Sequence, residues 1–235
     1  MKEPTSPVSV PQTNAHPAFK ILRASHLVFS VNDLEKSRFH PDVTCLFGEN
    51  GSVKSTLLEA VAIAMGFNPE GGSRNFNFST RDSHSNLSDY LRIVKGITRP
   101  RTGYFLRAES FFNVATELEN IDPGLIQLAY GGVSLHQQSH GESFMALLNH
   151  RFGANGFYLL DEPEAALSPT RQLTALARIH QLVNAGCQFI IATHSPIILA
   201  YPNSVIYQFN ENGIQQVAWQ DTEHYQITRQ FLNNP

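Results

Sequence analysis

The chain has 235 residues, 42% of them hydrophobic, and its 17 Lys and Arg against 20 Asp and Glu give a formal net charge of −3. This composition is ordinary for a globular protein, and the near-neutral charge gives no overall attraction to nucleic acid or anionic lipid. No apolar run approaches the ~20 residues that a membrane-spanning helix needs, and the start carries no signal-peptide pattern. Because both cysteines, Cys45 and Cys187, lie in apolar runs, we expect reduced, buried thiols in a cytoplasmic protein.

The first half of the chain predicts a tail followed by strands and helices. Residues 1–17 hold four prolines, which predicts a flexible tail before a single domain over 18–235. Alternation over 19–30 indicates a strand or hairpin arm, and 42–47 is a short apolar strand. Residues 55–66 have helical periodicity and end at a glycine. After an irregular loop at 68–88, two strands (YLRIVKG and GYFLRA) precede a helix at 109–120.

The second half alternates buried strands with helices. A helix at 141–153 precedes the buried strand GFYLLDEP at 156–163. The next helix has Ser168 as its N-cap and Pro169 as its first residue, and it stops at Gly186. The buried strand CQFIIATHSP, a hairpin around NENG and a closing helix complete the chain. This alternation predicts an α/β fold whose core sheet is mostly parallel.

A glycine-rich loop, GENGSVKST, joins the strand at 42–47 to the helix at 55–66. Its spacing is that of a phosphate-binding loop, and the strand–loop–helix context is the one that such a loop requires. We expect Lys54 to reach the β- and γ-phosphates of a nucleotide and Ser55 to bind Mg²⁺. The residues predicted to form the phosphate cradle are Gly48, Glu49, Asn50, Gly51, Ser52, Val53, Lys54, Ser55 and Thr56.

Val53 stands where this motif has glycine. Its β-branched side chain is bulky at a point where a phosphate must approach, and it restricts the backbone. We therefore expect nucleotide to bind more weakly than in a loop with glycine at position 53. The sequence does not distinguish a natural substitution from an introduced one.

The strand GFYLLDEP ends in two carboxylates, Asp161 and Glu162. Ligands of open α/β sheets bind at the carboxyl ends of the strands. Asp161 is predicted to hold Mg²⁺, and Glu162 to act as the general base on the attacking water. The alternative is an acid pair that caps the following helix.

Two further polar segments lie beside predicted elements. In QSHGES, Ser139, Gly141 and Glu142 open a helix whose N-terminus can contact a phosphate. A metal site at His136 and His140 is the alternative. In IIATHSP, His194 ends a buried strand, and Ser195 beside it would suggest a hydrolase, although no G-x-S-x-G turn is present.

In this order the motifs resemble those of the ATP-binding cassette (ABC) superfamily of ATPases over almost all of residues 19–209. GENGSVKST resembles the Walker A loop, SHGES the signature, FYLLDEPE the Walker B strand, AALS the D-loop and ATHS the switch histidine. SHGES, DEPEAALSP and THSPIILA are most similar to short stand-alone AAA-family ATPases of the RecF and SMC type. Only 85 positions separate Lys54 from Ser139, which leaves no room for a long coiled-coil arm.

The resemblance implies a P-loop NTPase with a mostly parallel core sheet, an antiparallel β subdomain and a small helical signature subdomain. It also implies a head-to-tail homodimer with two ATP molecules, each held between Lys54 of one chain and Ser139 of the other. His194 would contact the γ-phosphate. Glu109, a further candidate metal ligand, replaces the expected Q-loop glutamine, and Ser168 replaces the usual D-loop aspartate.

The sequence leaves three functions open: a slow ATPase, a non-hydrolysing regulatory or structural cassette, and the ATPase subunit of a transporter with a separate membrane partner. The segment 70–108 is rich in basic residues, which indicates either a solvated face with one or two neighbours of the phosphate loop, or a dock for nucleic acid or an acidic protein. These residues are Arg74, Arg81, Arg92, Lys95, Arg99, Arg101 and Arg107.

Overall fold

The computed structural model describes residues 20–21, 39–49, 53–74, 87–91, 93–94, 99–111, 116, 138–211 and 213–234. Its centre is a six-stranded sheet in the order β4-β5-β6-β2-β7-β8, in which only β8 is antiparallel to its neighbour. The strands are β2 (Val43–Gly48), β4 (Thr102–Arg107), β5 (Gly156–Asp161), β6 (Gln188–Ala192), β7 (Val205–Asn210) and β8 (Gly213–Val217). A separate antiparallel pair joins β1 (Lys20–Ile21) to β3 (Ile93–Val94). The predicted α/β fold with a mostly parallel core is confirmed.

Helices cover both faces of this sheet. They are α1 (Lys54–Ala64), α2 (Leu87–Tyr90), α3 (His140–Ala146), α4 (Pro169–Asn184), α5 (Pro196–Leu199) and α6 (Glu223–Asn233). A π-helical turn, Leu147–Arg151, continues α3, and 3₁₀ turns lie at Pro163–Ala166 and Trp219–Asp221.

The core has two layers because successive strand side chains point to opposite faces. On one face, Cys45 and Tyr158 lie in a cluster with Ile179 and Leu182 of α4. On the other face, Leu46 and Leu159 lie in a cluster with Leu57 and Leu58 of α1 and with further residues of that helix. Every residue of β2, β5 and β6 is buried, as is typical of parallel strands covered on both faces.

Several element boundaries differ from the sequence-based expectations. Of the strand predicted at YLRIVKG, the first residue, Tyr90, ends the helical turn α2, and Ile93–Val94 is extended. The helix predicted over 141–153 is α-helical only to Ala146 before it widens into the π turn. The strand predicted to run to Pro196 stops at Ala192, since Pro196 begins α5. The tail at 1–17 and most of the helix predicted at 109–120 lie outside the described residues, and the single-domain boundary at 18 stays a prediction.

The strand ends bring the candidate residues to one edge of the sheet. In the parallel registers Leu46 pairs with Ala192, Asp161 with Ala192, and Arg107 with Asp161. Gly48 ends β2 beside Phe209, where a Cβ would come within 2.4 Å of the Phe209 carbonyl oxygen. Glycine is therefore required where the chain leaves this edge. Within the ranges given above, no helix is long and apolar enough to cross a membrane.

Candidate functional site

The lysine of the glycine-rich loop lies folded back into the site. Lys54 begins α1 and is 2% exposed. Its ammonium group donates to the carbonyl oxygens of Gly48 and Glu49, both at 2.9 Å. Burial lowers the pKa of Lys54, while the carboxylates of Glu162 and Asp161 oppose this change. The arrangement fixes a cation at the mouth of β2, where an anionic ligand would be attracted.

Ser55 and Asp161 are in direct contact. The Ser55 hydroxyl donates to Asp161 Oδ1 at 2.9 Å, which joins the first turn of α1 to the end of β5. Burial raises the pKa of Asp161 to about 6, whereas the hydrogen bond from Ser55 and the charge of Arg107 hold it down. A hydroxyl and a carboxylate oxygen are ligands that Mg²⁺ prefers, and this ion commonly takes only one or two carboxylates together with phosphate oxygens. The residues present therefore fit a nucleotide-bound Mg²⁺.

Glu162 occupies a strained backbone position. Its φ of 50° and ψ of 51° place it in the left-handed region, which is costly for a residue other than glycine and is frequent at functional sites. Its amide donates to the Ala192 carbonyl at 2.9 Å. The side chain is 44% exposed and its Oε1 lies 3.7 Å from His194 Nε2. The turn thus directs a carboxylate out of the sheet edge beside the histidine.

His194 is fixed by a residue that the sequence patterns did not single out. Glu164 accepts hydrogen bonds from the His194 amide at 2.5 Å and from the Thr193 hydroxyl at 2.7 Å. His194 Nε2 is buried and has no hydrogen-bond partner among the described residues. Burial, and then the nearby Lys54 charge, lower the pKa of His194, so the neutral imidazole is favoured and its Nε2 can serve a ligand.

A second histidine, also missed by the sequence patterns, lies against this one. His224 of α6 packs with ring centroids 5.8 Å from His194, and at 4.9 Å edge-on to Phe47 of β2. The closing helix therefore contacts both the switch histidine and the strand that leads to the glycine-rich loop. A histidine in a predicted C-terminal helix gives no sequence signal for such a contact.

Ser195 does not have the environment of a nucleophile. Its hydroxyl donates to Gln172 Oε1 at 2.5 Å and accepts from the amides of Ile197 and Ile198. It is the N-cap of α5. The hydrolase alternative is not supported by this structural role.

The signature segment has a well-formed helix start. Ser139 is the N-cap of α3 and forms a reciprocal capping box with Glu142. Arg171 of α4 donates to the Ser139 hydroxyl at 3.2 Å and to Glu142 at 3.3 Å. A Cβ at Gly141 would lie 2.4 Å from the Arg171 guanidinium and 2.9 Å from the Ala166 carbonyl oxygen. Glycine at 141 thus allows α3 to pack against the segment that resembles a D-loop.

Val53 adopts an ordinary backbone conformation. Its φ of −68° and ψ of 10° are accessible to any L-residue, and its carbonyl accepts the first helical hydrogen bond, from Leu57, at 2.8 Å. The backbone at Val53 is therefore unstrained in this conformation. Only the bulk of its side chain remains as a reason for weak nucleotide binding.

The remaining predicted residues are distributed more widely. Thr56 lies in α1 and is partly exposed. Glu109 is 88% exposed and lies 3.8 Å from the Arg107 guanidinium, and its role as a metal ligand stays a prediction. Asn50, Gly51, Ser52 and His136 lie outside the described residues. In the described part of the chain, no three His, Cys, Asp or Glu side chains form a group that could hold a metal.

The basic residues of segment 70–108 do not share one surface. Arg99 and Arg101 are exposed, but Arg74 lies over the Phe67 ring at 5.2 Å and burial lowers its pKa. Arg107 points inward to Glu59 and Asp161. Arg107 is thus a neighbour of the phosphate-loop helix, as one reading of the sequence expects, while Arg81, Arg92 and Lys95 lie outside the described residues.

Comparison with known proteins agrees with this geometry. A family model described as "AAA domain, putative AbiEii toxin, Type IV TA system" matches residues 124–200, which hold the signature, Walker B and switch-histidine motifs. The chain is thus similar to ABC/AAA-type P-loop ATPases. A solved structure, "An inward-facing conformation of a putative metal-chelate type ABC transporter", superposes with a TM-score of 0.50 at 16% identity over 93% of this chain and 90% of that one. This likeness shows the fold of the ATPase domain.

Two further relatives are more distant or much longer. "ABC transporter G family member 22" of Arabidopsis thaliana is 26% identical over 181 residues, which cover 66% of this chain but only 23% of that protein. The "SMC head domain from Thermotoga maritima" has a TM-score of 0.44 at 14% identity, over 86% of this chain and 98% of that one. The chain spans about a quarter of the length of this plant relative.

Proposed function

We propose that this domain binds ATP with Mg²⁺ and hydrolyses it slowly at a composite site between two copies arranged head to tail. The observation that carries the proposal is the contact between Ser55 and Asp161 at 2.9 Å, together with Lys54 buried at the same strand edge. A hydroxyl, a carboxylate and an ammonium at the mouth of parallel strands suit a metal-bound triphosphate.

Lys54 and the helix α1 would bind the phosphates. The Lys54 ammonium donates to two backbone carbonyl oxygens. Phosphate oxygens can replace these partners without leaving the charge unpaired, because both are hydrogen-bond acceptors. The α1 N-terminus adds the positive end of its dipole.

Glu162 and His194 would carry the chemistry. The Glu162 carboxylate is directed out of the sheet edge by its left-handed backbone and can accept a proton from the attacking water as a general base. The neutral His194, held by Glu164, can hydrogen-bond a γ-phosphate oxygen through its free Nε2. When bound, Mg²⁺ would neutralise charge that develops on the phosphates.

Ser139 and Gly141 would complete the site of a second copy. Ser139 is exposed at the start of α3, and its capping box and Arg171 fix its position. An exposed N-cap serine can offer its hydroxyl and the adjoining amides to an incoming phosphate.

Val53 favours a second candidate function, a non-hydrolysing regulatory or structural cassette. A side chain that obstructs the phosphates would reduce nucleotide binding even though its backbone is unstrained. The retained Lys54, Ser55, Asp161, Glu162 and His194 support the ATPase instead. Coupling to a transporter is supported by the names of relatives alone.

Calorimetric titration of the full chain with ATP, in Mg²⁺ and in EDTA, tests the proposal together with a phosphate-release assay. Saturable ATP binding that Mg²⁺ strengthens, and slow release of phosphate, are expected. Lys54→Ala is expected to abolish ATP binding. Arg178→Gln, which changes a partly exposed arginine of α4 that donates to the Leu148 carbonyl oxygen, serves as the control for loss of a cation. Binding without phosphate release would favour the regulatory cassette, and absence of ATP binding would overturn both functions.

A further inference from the structure

Arg107 lies beside Asp161 and therefore beside the candidate metal site. It is the last residue of β4 and pairs in register with Asp161 of β5. Its side chain is 21% exposed. The parallel register therefore places a guanidinium next to the carboxylate that accepts a hydrogen bond from Ser55.

One edge of this guanidinium is anchored to α1 and the segment that follows it. Nη1 donates to Glu59 Oε2 at 2.8 Å and to the Pro69 carbonyl oxygen at 3.1 Å. Glu59 belongs to the same helix as Lys54 and Ser55, and its side chain is 11% exposed. A planar guanidinium with two such contacts has a fixed orientation, so Arg107 couples the end of β4 to the helix that carries the phosphate-loop lysine.

The other edge of Arg107 faces Asp161. The Nε atom lies 3.8 Å from Asp161 Oδ2, which is longer than a hydrogen bond. Among the described residues this buried Nε has no hydrogen-bond partner, although buried donors in folded proteins are normally satisfied. Asp161 Oδ1 is already taken by Ser55. The Asp161 oxygens thus face two different donors. The Ser55 hydroxyl makes a hydrogen bond to Oδ1, whereas Arg107 Nε lies near Oδ2 without making one.

We propose that Arg107 is a positioning residue for the metal-bound nucleotide: it holds Asp161 through Oδ2 and so leaves Oδ1, beside Ser55, to Mg²⁺. This role rests on the proposed binding of ATP with Mg²⁺. In this role Arg107 is the residue that orients a metal-ligating carboxylate. Loss of such an orienting residue typically lowers metal affinity 10- to 100-fold. Arg107 would act through Asp161 and would not contact the phosphates.

The test compares ATP affinity in Mg²⁺ with ATP affinity in EDTA, by calorimetry on the full chain carrying Glu162→Gln to prevent turnover. The ratio of the two affinities isolates the contribution of the metal. Arg107→Gln is expected to reduce this ratio by about tenfold while affinity in EDTA stays within about twofold. Arg107→Lys is expected to restore only part of the ratio, since a point charge cannot contact Glu59 and Asp161 together. Arg178→Gln is the arginine control and should leave the ratio unchanged.

Loss of folding is separated from loss of positioning by a second variant. Glu59→Gln combined with Arg107→Gln removes the buried carboxylate that would otherwise lose its cation, and thermal unfolding of each variant checks that it is folded. The double variant is expected to show the same reduced ratio as Arg107→Gln.

Three results would overturn the inference and leave the proposed function intact. The first is an unchanged ratio of ATP affinity in Mg²⁺ to that in EDTA, both in Arg107→Gln and in the double variant. The second is a rise in this ratio, which would mean that the positive charge of Arg107 repels the metal. The third is full recovery of the ratio in Arg107→Lys. Absence of Mg²⁺-strengthened ATP binding in the chain with arginine at 107 would instead remove the proposed function, and the role of Arg107 with it.

Discussion

Arg171 of α4 donates to the Ser139 hydroxyl at 3.2 Å, and the same guanidinium contacts Glu142 at 3.3 Å. The signature serine is therefore positioned from within its own chain by a helix that begins directly after the D-loop-like segment. The hydrogen bond from Ser139 is also the main cause of the lowered pKa of Glu142. Both residues are exposed, which leaves the Ser139 hydroxyl accessible to a second copy of the chain.

We expect ATP to convert the Glu162→Gln variant from monomer to dimer, and Ser139→Arg added to it to prevent this change. The added side chain would occupy the space that a partner's γ-phosphate needs, and it would meet Arg171 with a like charge. Light scattering with and without ATP and Mg²⁺ measures the outcome. Thr174→Arg, an exposed change further along α4, is the control. A dimer that forms without nucleotide and tolerates Ser139→Arg would place the association on another surface.

Val53→Gly is expected to strengthen ATP binding in Mg²⁺ by up to about a hundredfold, equivalent to ~2.8 kcal/mol. Because the backbone at 53 is unstrained, the gain should come from removal of the side chain. Val53→Ala, which keeps Cβ and removes both methyl groups, should then give most of this gain in ATP affinity. Calorimetry on the three proteins makes the comparison, and equal affinities for all of them would remove the steric explanation.

Glu162→Gln is expected to slow ATP hydrolysis by at least about a hundredfold, since a general base contributes this much or more. ATP affinity should change little, because the amide retains the shape of the side chain. Single-turnover phosphate release and calorimetry separate the two effects. Glu164→Gln is a useful comparison because Glu164 holds Thr193 and His194, so this change should reduce thermal stability as well. Unchanged turnover in Glu162→Gln would exclude Glu162 as the base.

The buried Asp161 predicts a specific dependence of stability on pH. Its folded-state pKa of about 6 lies above the ordinary 3.8, so between these values the folded chain keeps a proton that the unfolded chain has lost. The free energy of unfolding should therefore fall as pH rises from about 4 to about 6, and the loss should be complete above that range. The free energy of unfolding of Asp161→Asn should equal that of the unchanged chain near pH 4 and exceed it by about 2–3 kcal/mol near pH 7. Urea unfolding of both proteins from about pH 4 to 7 measures this difference in the free energy of unfolding. A difference that does not vary with pH would contradict a raised pKa at Asp161.

Any nucleic-acid binding through segment 70–108 should depend on the exposed Arg99 and Arg101. Arg99→Gln with Arg101→Gln is expected to lower the slope of log affinity against log salt by about one to two, because each phosphate that is no longer neutralised keeps its counterion. Fluorescence anisotropy with a short duplex, from about 50 to 200 mM salt, measures this slope. Arg178→Gln serves as a control for loss of charge. Absence of binding at the lowest salt would leave these arginines as solvated side chains.

Local patterns were sufficient for most of the strand and helix assignments. The apolar runs at 42–47 and 156–161 correspond to β2 and β5, and the Ser168-Pro169 start and Gly186 stop delimit α4 closely. These signals are local because burial on both faces makes a parallel strand continuously apolar, and because capping depends on residues a few positions apart. Boundaries failed where a helical turn replaced extended chain, as at Leu87–Tyr90.

The amino-acid sequence by itself determined the order of the motifs and the identities of Lys54, Ser55, Asp161, Glu162 and His194 as chemical candidates. Only the tertiary structure decided that Arg107 points to Asp161, that Glu164 holds His194, that His224 packs on the same histidine, and that Ser195 caps a helix. The physical reason is that strand register and helix docking join residues far apart in the chain. The charge and spacing of a side chain indicate what it can bind, whereas its partners depend on which elements meet at the edge of the sheet.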